Sequence, residues 1–281
     1  MDLDAQLRES LGQDYAIERE LAPGGMARVF VAKEVALGRR VVIKVLPPDM
    51  ASVVLSERFR REISLAAQLR HPHIIPVLTA GGTNELLYYT MPFVEGETLR
   101  ALLDRNNTIP LRECIRMVRE VADALAYAHS HGIVHRDIKP DNILIENGHA
   151  VVADFGVAKA LASATGTSPA SGPVTAAGVV MGTAAYMSPE QAAADPATDH
   201  RADIYALGVV AYEIFSGALP FKGSSFQMIV AHMVEQPQPL QLRCPQIPPA
   251  LAELVMQLLA KNPDDRPQSA ADVAASFDGV F

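Results

Sequence analysis

A chain of 281 residues, 49% hydrophobic and 20% charged, has the material for a sizeable core and lacks the polar, highly charged make-up of a disordered polypeptide. Its net charge of -8, with no run of five like charges, argues against nucleic acid or an anionic membrane as partner, because neutralising phosphate needs a basic patch. The acidic start MDLDAQLRESLGQDY lacks the apolar centre of a signal peptide, and the longest apolar stretch, Ile204 to Phe215, is too short for a bilayer and carries Glu213. The two cysteines, Cys114 and Cys244, have no CxxC or metal spacing, which fits a reducing compartment.

From Tyr15 to about Pro92 the chain runs in short alternating segments, YAIEREL, RVFVAKEV, RVVIKVL, IPVLTAG and LLYYTMPF. Their β-branched and aromatic members predict five strands of an antiparallel sheet. One helix interrupts them, from about Ser56 to Leu69, with Phe59, Ile63, Ala66 and Leu69 on one face. After Glu97 the pattern turns helical, at Leu111 to His131, Ala202 to Ser216, Ser225 to Glu235, Pro249 to Ala260 and Ala270 to Phe277. Between the first two of these, ILIENGHAVVAD sets Asn147-Gly148 between apolar runs, a strong hairpin signal because both turn residues take positive φ. The stretch ALASATGTSPASGPVTAAG, residues 160–178, reads as a loop rather than an element. No internal repeat is evident.

The chemistry concentrates in HRDIKPDN at residues 135–142 and DFG at 154–156. Asp137 can accept a hydroxyl proton, Lys139 can face a γ-phosphate, and Asn142 with Asp154 can hold Mg2+ (or Mn2+) through hard oxygen ligands. The predicted hairpin carries Asn142 at one end and Asp154 at the other, so it brings the two metal ligands together. Phosphoryl transfer asks for little more than this, since its catalysis is positioning and charge neutralisation. The neighbouring His129, His131 and His135 do not read as a zinc site. No cysteine or carboxylate completes the set, and Gly132 marks an ordinary helix end.

HRDxKPxN, DFG and a downstream SPE, in that order, resemble the protein kinases, and among them the bacterial Ser/Thr kinases of eukaryotic (Hanks) type, from Tyr15 to about Phe277. The resemblance implies one α+β, bilobal kinase domain over residues 1–281. Its small lobe would span 15–92 with one main helix, its hinge 93–97, and its mostly helical lobe 98–281. In the nucleotide site, Lys44 of VVIK would meet the α- and β-phosphates and pair with Glu62. Val29, Val42 and Leu144 would sandwich adenine, Met91 would gate the back of the pocket, and Phe93 and Val94 would offer backbone groups. Leu21, Ala22, Gly24 and Gly25 would cover the phosphates, although APGGMARVFVAK keeps only Gly24 of the GxGxxGxV glycines, with Ala22 and Ala27 at the outer two.

On the substrate side, Lys139 and Thr183 imply a Ser or Thr acceptor, Glu190 of SPE would pair with Arg266, and Asp203 would anchor the catalytic-loop backbone. His135 would pack on Phe155. Arg136 implies control by a phosphate on the 160–178 stretch, with Ser171 and Thr175 nearest the positions used by bacterial relatives. The implied partners are ATP and protein substrates, with a homodimer through the small lobe by analogy. The implied location is the cytoplasm, in relatives that often continue into a transmembrane and sensor region. The missing glycines leave open a nucleotide-binding pseudokinase acting as a scaffold. A small-molecule phosphotransferase is opposed by Thr183, SPE and Arg266, which together suit a protein substrate.

Ala22 precedes Pro23, which biases it toward extended backbone where a Cβ costs little. Ala22→Gly should therefore change ATP affinity by less than about tenfold, about 1.4 kcal/mol, in a nucleotide titration.

Overall fold

The computed structural model describes residues 7, 10–24, 27–46, 53–83, 86–105, 109–155 and 183–279. Gly25, Gly156 and the 160–182 stretch with Ser171 and Thr175 lie outside these residues, as do the side chains of Ala22 and Thr183, and Gly24 is described only as part of its strand. The first five strands are β1 (Tyr15–Gly24), β2 (Ala27–Glu34), β3 (Arg39–Val45), β4 (Thr79–Thr83) and β5 (Leu86–Pro92). They form one antiparallel sheet in the order β1-β2-β3-β5-β4.

Period-two alternation sorts the two faces of this sheet. Val41, Ile43 and Val45 of β3 join Phe30, Leu86, Leu7 and Leu11 in one buried cluster. From the opposite face, Leu87 and Tyr89 pack with Leu46 on Phe59 and Ile63 of helix α1 (Val53–Ala66). Helix α1 ends three residues before the predicted Leu69, because the chain closes with i→i−3 turns, Gln68 N to Leu65 O and Leu69 N to Ala66 O at 3.1 Å each. The strand predicted over IPVLTAG begins only at Thr79. Its apolar start serves a different contact, for Ile75 N donates to Val152 O at 2.9 Å and Ile74 bridges Val152 in parallel.

After β6 (Glu97–Thr98) and the short helix α2 (Leu99–Asp104), the long α3 (Leu111–Ser130) ends where Gly132 takes φ +72°. Strands β7 (Ile143–Glu146) and β8 (His149–Val152) follow, paired antiparallel with Glu146 opposite His149. Asn147 and Gly148 sit at φ +50° and +82°, the two positive values that a two-residue hairpin turn of this kind requires. Then come α4 (Pro189–Ala192), α5 (Arg201–Ser216), α6 (Ser225–Val234), α7 (Leu240–Arg243), α8 (Pro249–Leu258) and α9 (Ala270–Asp278). The short β6, α2, α4 and α7 were not predicted, since two to six residues show no periodicity to read.

Helix α5 is buried on every side from Ala202 to Ile214 and lies in the largest apolar cluster, with α3 and α8 packed against it and α9 packed on α3. A helix apolar all round belongs in a core. Gly208 lets α5 approach α8, because a Cβ built there would lie 2.7 Å from the Leu258 Cβ. Gly208→Ala should cost about 1–3 kcal/mol through overpacking, measured as a lowered denaturation midpoint in urea.

Candidate active site

The predicted adenine-contacting residues come together. Val42 and Met91 are buried in one apolar cluster with Ile75, Val151 and Ala153, and Val29, Phe93, Val94 and Leu144 pack against it. Sheet register explains the assembly: Val29 lies opposite Lys44 and Leu21, and Val42 opposite Met91. Strands β7 and β8 supply Leu144 and Val151 from below. Ile75, Val151 and Ala153 were not foreseen, because they fall in segments that read as ordinary core.

Beside this cluster the Lys44 ammonium forms an ion pair with Asp154 Oδ2, and the Tyr89 hydroxyl donates to Asp154 Oδ1 at 2.8 Å. Burial alone would raise the Asp154 pKa, but the Lys44 charge and hydrogen bond, then the Tyr89 bond, hold it below the usual value. Glu62 lies half-buried on α1, beside Ile63, which packs on Tyr89.

In the 135–142 loop, Lys139 Nζ donates to Asp137 Oδ2 at 2.7 Å, and the Asn142 amide nitrogen donates to Asp137 O at 2.8 Å and Oδ2 at 3.0 Å. With its nitrogen committed, Asn142 keeps its side-chain oxygen for a cation. Ala153 N donates to Asn142 O at 2.9 Å, so the hairpin ladder continues to the residue before Asp154. Among the described residues no three or more His, Cys, Asp or Glu side chains are grouped so as to hold a metal ion. A cation held by Asn142 and Asp154 would share its remaining sites with water and phosphate oxygens, as Mg2+ commonly does.

The loop is anchored from α5. Asp203 Oδ1 accepts Arg136 N at 2.7 Å, while Oδ2 accepts His135 N and His129 Nε2, each at 2.8 Å. His135 accepts Asp137 N at Nδ1, so its proton is on Nε2, which donates to Ala153 O at 2.8 Å. Its ring meets Phe155 edge-on, with centroids 4.7 Å apart. Arg136 and Asp154 both take φ +68°, a left-handed geometry that non-glycine residues adopt when surroundings hold them.

The segment leading to the predicted substrate platform is tied down as firmly. Arg266 grips Glu190 through two bonds of 2.7 and 2.8 Å in the core. Gln191 Nε2 donates to Arg136 O at 2.9 Å. His232 on α6 donates from Nε2 to Ala185 O at 2.9 Å, and Lys261 donates to the last carbonyls of that helix, Ala231 O and His232 O. Burial keeps His232 neutral by lowering its pKa to about 4. Arg100 donates to both Glu213 and Tyr186 at 2.7 Å. Only the Glu190 and Arg266 pair was foreseen, because the other partners are single polar residues scattered over separate helices.

The chain belongs to the protein kinase family, whose protein kinase domain matches residues 15–277. It is similar to the serine/threonine-protein kinase PknB of Mycolicibacterium smegmatis, 42% identical over 278 residues, which is 96% of this chain and 43% of that protein. It is likewise similar to PrkC of Bacillus subtilis, 37% identical over 95% of this chain and 40% of that one. PknA of Mycobacterium tuberculosis is 40% identical over 96% of this chain and 62% of its own length. The chain thus spans about half of the relatives it matches. No described helix is long and apolar enough to cross a membrane.

Asp203 is fully buried. Burial would raise its pKa, but the His129 hydrogen bond and charge, with the Arg136 N–H, bring it below the ordinary Asp value. A depressed folded pKa adds stability that is present above the unfolded value and lost as pH falls through the folded one. Asp203→Asn should lower stability at neutral pH by about 1–3 kcal/mol and flatten the acid limb of the stability-against-pH curve, followed by urea denaturation.

Proposed function

We propose that this chain is the catalytic region of an ATP-dependent serine/threonine protein kinase. The observation that carries the reading is the meeting of Asp137, Lys139 and Asn142 with Asp154 and Lys44, beside an apolar cluster that suits adenine. Asp137 orients the acceptor hydroxyl and takes its proton as the oxygen attacks the γ-phosphorus. The bond from γ-phosphorus to the β–γ bridging oxygen breaks, and ADP leaves with that electron pair. Lys139 balances the charge spread over the transferred group, and Lys44 leaves Asp154 for the phosphates. Asn142 and Asp154 would hold Mg2+, which supplies charge neutralisation on the phosphates.

The acceptor is a Ser or Thr hydroxyl on a protein, a reading supported by Lys139 beside the base and by the anchored Thr183–Tyr186 turn. Among the described residues, Arg136 Nε is buried without a hydrogen-bond acceptor. That supports a phosphorylated Ser171 or Thr175 as its partner, since a buried guanidinium N–H left unmade is costly. The use of ATP and two buried free cysteines support the cytoplasm as its place of work.

Transfer of γ-phosphate to a generic basic protein and to the chain itself tests this. Wild type should label both, while Asp137→Asn and Lys44→Met should lose at least about a hundredfold of the rate. Mass spectrometry of the wild type after MgATP should find phosphate on Ser171 or Thr175. A wild type as inert as the two variants would make the chain a nucleotide-binding scaffold instead.

A further inference from the structure

Strand β5 carries two adjacent tyrosines, and its alternation turns Tyr89 inward toward α1 and the cleft. Tyr89 is 2% exposed, packed among Leu46, Leu87, Ile63 and Phe59, with the Phe59 ring centroid 6.5 Å away. For that packing a leucine or phenylalanine would serve, so the hydroxyl is what packing leaves unexplained. A buried phenol needs a partner, and this one has Asp154 Oδ1 at 2.8 Å. Register sets Tyr89 directly opposite Lys44, and residues directly opposite in a sheet project from the same face. The sheet therefore presents a phenol and an ammonium side by side to the two oxygens of one carboxylate.

The two donors differ in kind. An ammonium is a charge that a divalent cation must displace, whereas a neutral hydroxyl occupies one lone pair of an oxygen that has two. A carboxylate oxygen can only accept, so in this bond the Tyr89 hydroxyl is the donor. The Lys44 side chain is flexible and can leave, whereas the Tyr89 ring is locked by α1.

We propose that Tyr89 is a positioning residue for the metal ligand Asp154: it fixes the carboxylate through Oδ1, while Oδ2 exchanges between Lys44 and a divalent cation. The proposal rests on the reading of Asp154 as a metal ligand given above. It also ties α1 to the metal site, because the ring that carries the hydroxyl is seated against Phe59 and Ile63.

The test is Mn2+ binding, followed by electron paramagnetic resonance, to the chain in complex with a non-hydrolysable ATP analogue. Alongside it, the affinity for the same analogue is measured without metal. Tyr89→Phe keeps the ring and removes the hydroxyl, and should weaken Mn2+ about tenfold, the low end for loss of an outer-shell partner, while metal-free nucleotide affinity stays as in wild type. Phe59→Leu loosens the packing and spares the hydroxyl, and should lower thermal stability without moving Mn2+ affinity. Wild-type Mn2+ affinity in Tyr89→Phe, with binding lost in Asp154→Asn, would overturn the proposal and leave the metal reading standing. An equal loss of Mn2+ in Phe59→Leu and Tyr89→Phe would reduce the role to packing and overturn it too. Unchanged Mn2+ affinity in Asp154→Asn would overturn the metal reading, and the proposal with it.

Discussion

Asp203 accepts the backbone N–H groups of His135 and Arg136 with one buried carboxylate, and the course of the 135–142 loop, with Asp137, Lys139 and Asn142 on it, follows from that grip. The two peptide groups belong to a loop that has no regular ladder of its own, so without the carboxylate two buried donors would go unsatisfied. Holding them allows Arg136 to keep φ +68° and aims His135 inward, where its Nε2 reaches Ala153 O. Asp137 then emerges on the cleft side, with Lys139 and Asn142 closing on its carboxylate. The anchor sits on α5, buried on every side, so the geometry of the site is referred to the packed core of the helical lobe.

The same logic extends to the segment that would receive a protein substrate. Glu190 and Arg266 form a buried, bidentate pair, and such a pair is weak evidence for net stability because desolvation offsets the attraction. What it does provide is a unique position for α4, whose Gln191 reaches back to Arg136 O. The loop proposed to carry the base and the platform proposed to align the acceptor therefore share a peptide group. On the far side, His232 holds Ala185 O while Lys261 caps the end of α6, so the platform is clamped from α4 and α6 at once.

Much of this was legible where the physics is local. Asn147-Gly148 announced a turn with two positive φ values, and the ladder it starts brings Asn142 within reach of Asp154. The misreadings arise where a residue's role depends on distant partners. IPVLTAG reads as one strand, but Ile75 N bonds to Val152 O and pairing with β5 starts only at Leu78. LLYYTMPF offered two tyrosines in succession, and only the strand's phase decides which one faces Asp154, 65 residues further on. Arg100, Tyr186 and Glu213 form a polar knot from three elements, and no spacing in the chain could connect them.

Two aspartates, one fully buried and one part-buried, lie close to the proposed chemistry, and their neutralisation separates their roles. Asp203 is 0% exposed and meets two peptide N–H groups and a histidine. These donors belong to the folded backbone and a packed ring, so they cannot withdraw without undoing the loop. Asp154 keeps 13% of its side chain accessible and is neutralised by Lys44, a single charge at the end of four methylenes that can swing away. A carboxylate whose counter-charge can leave is one that can accept another cation, and the cost of exposing it is lowered when a fixed neutral donor stays behind. The difference between the structural carboxylate and the proposed ligand thus lies in the mobility of what surrounds each, since both are held in the ionised form.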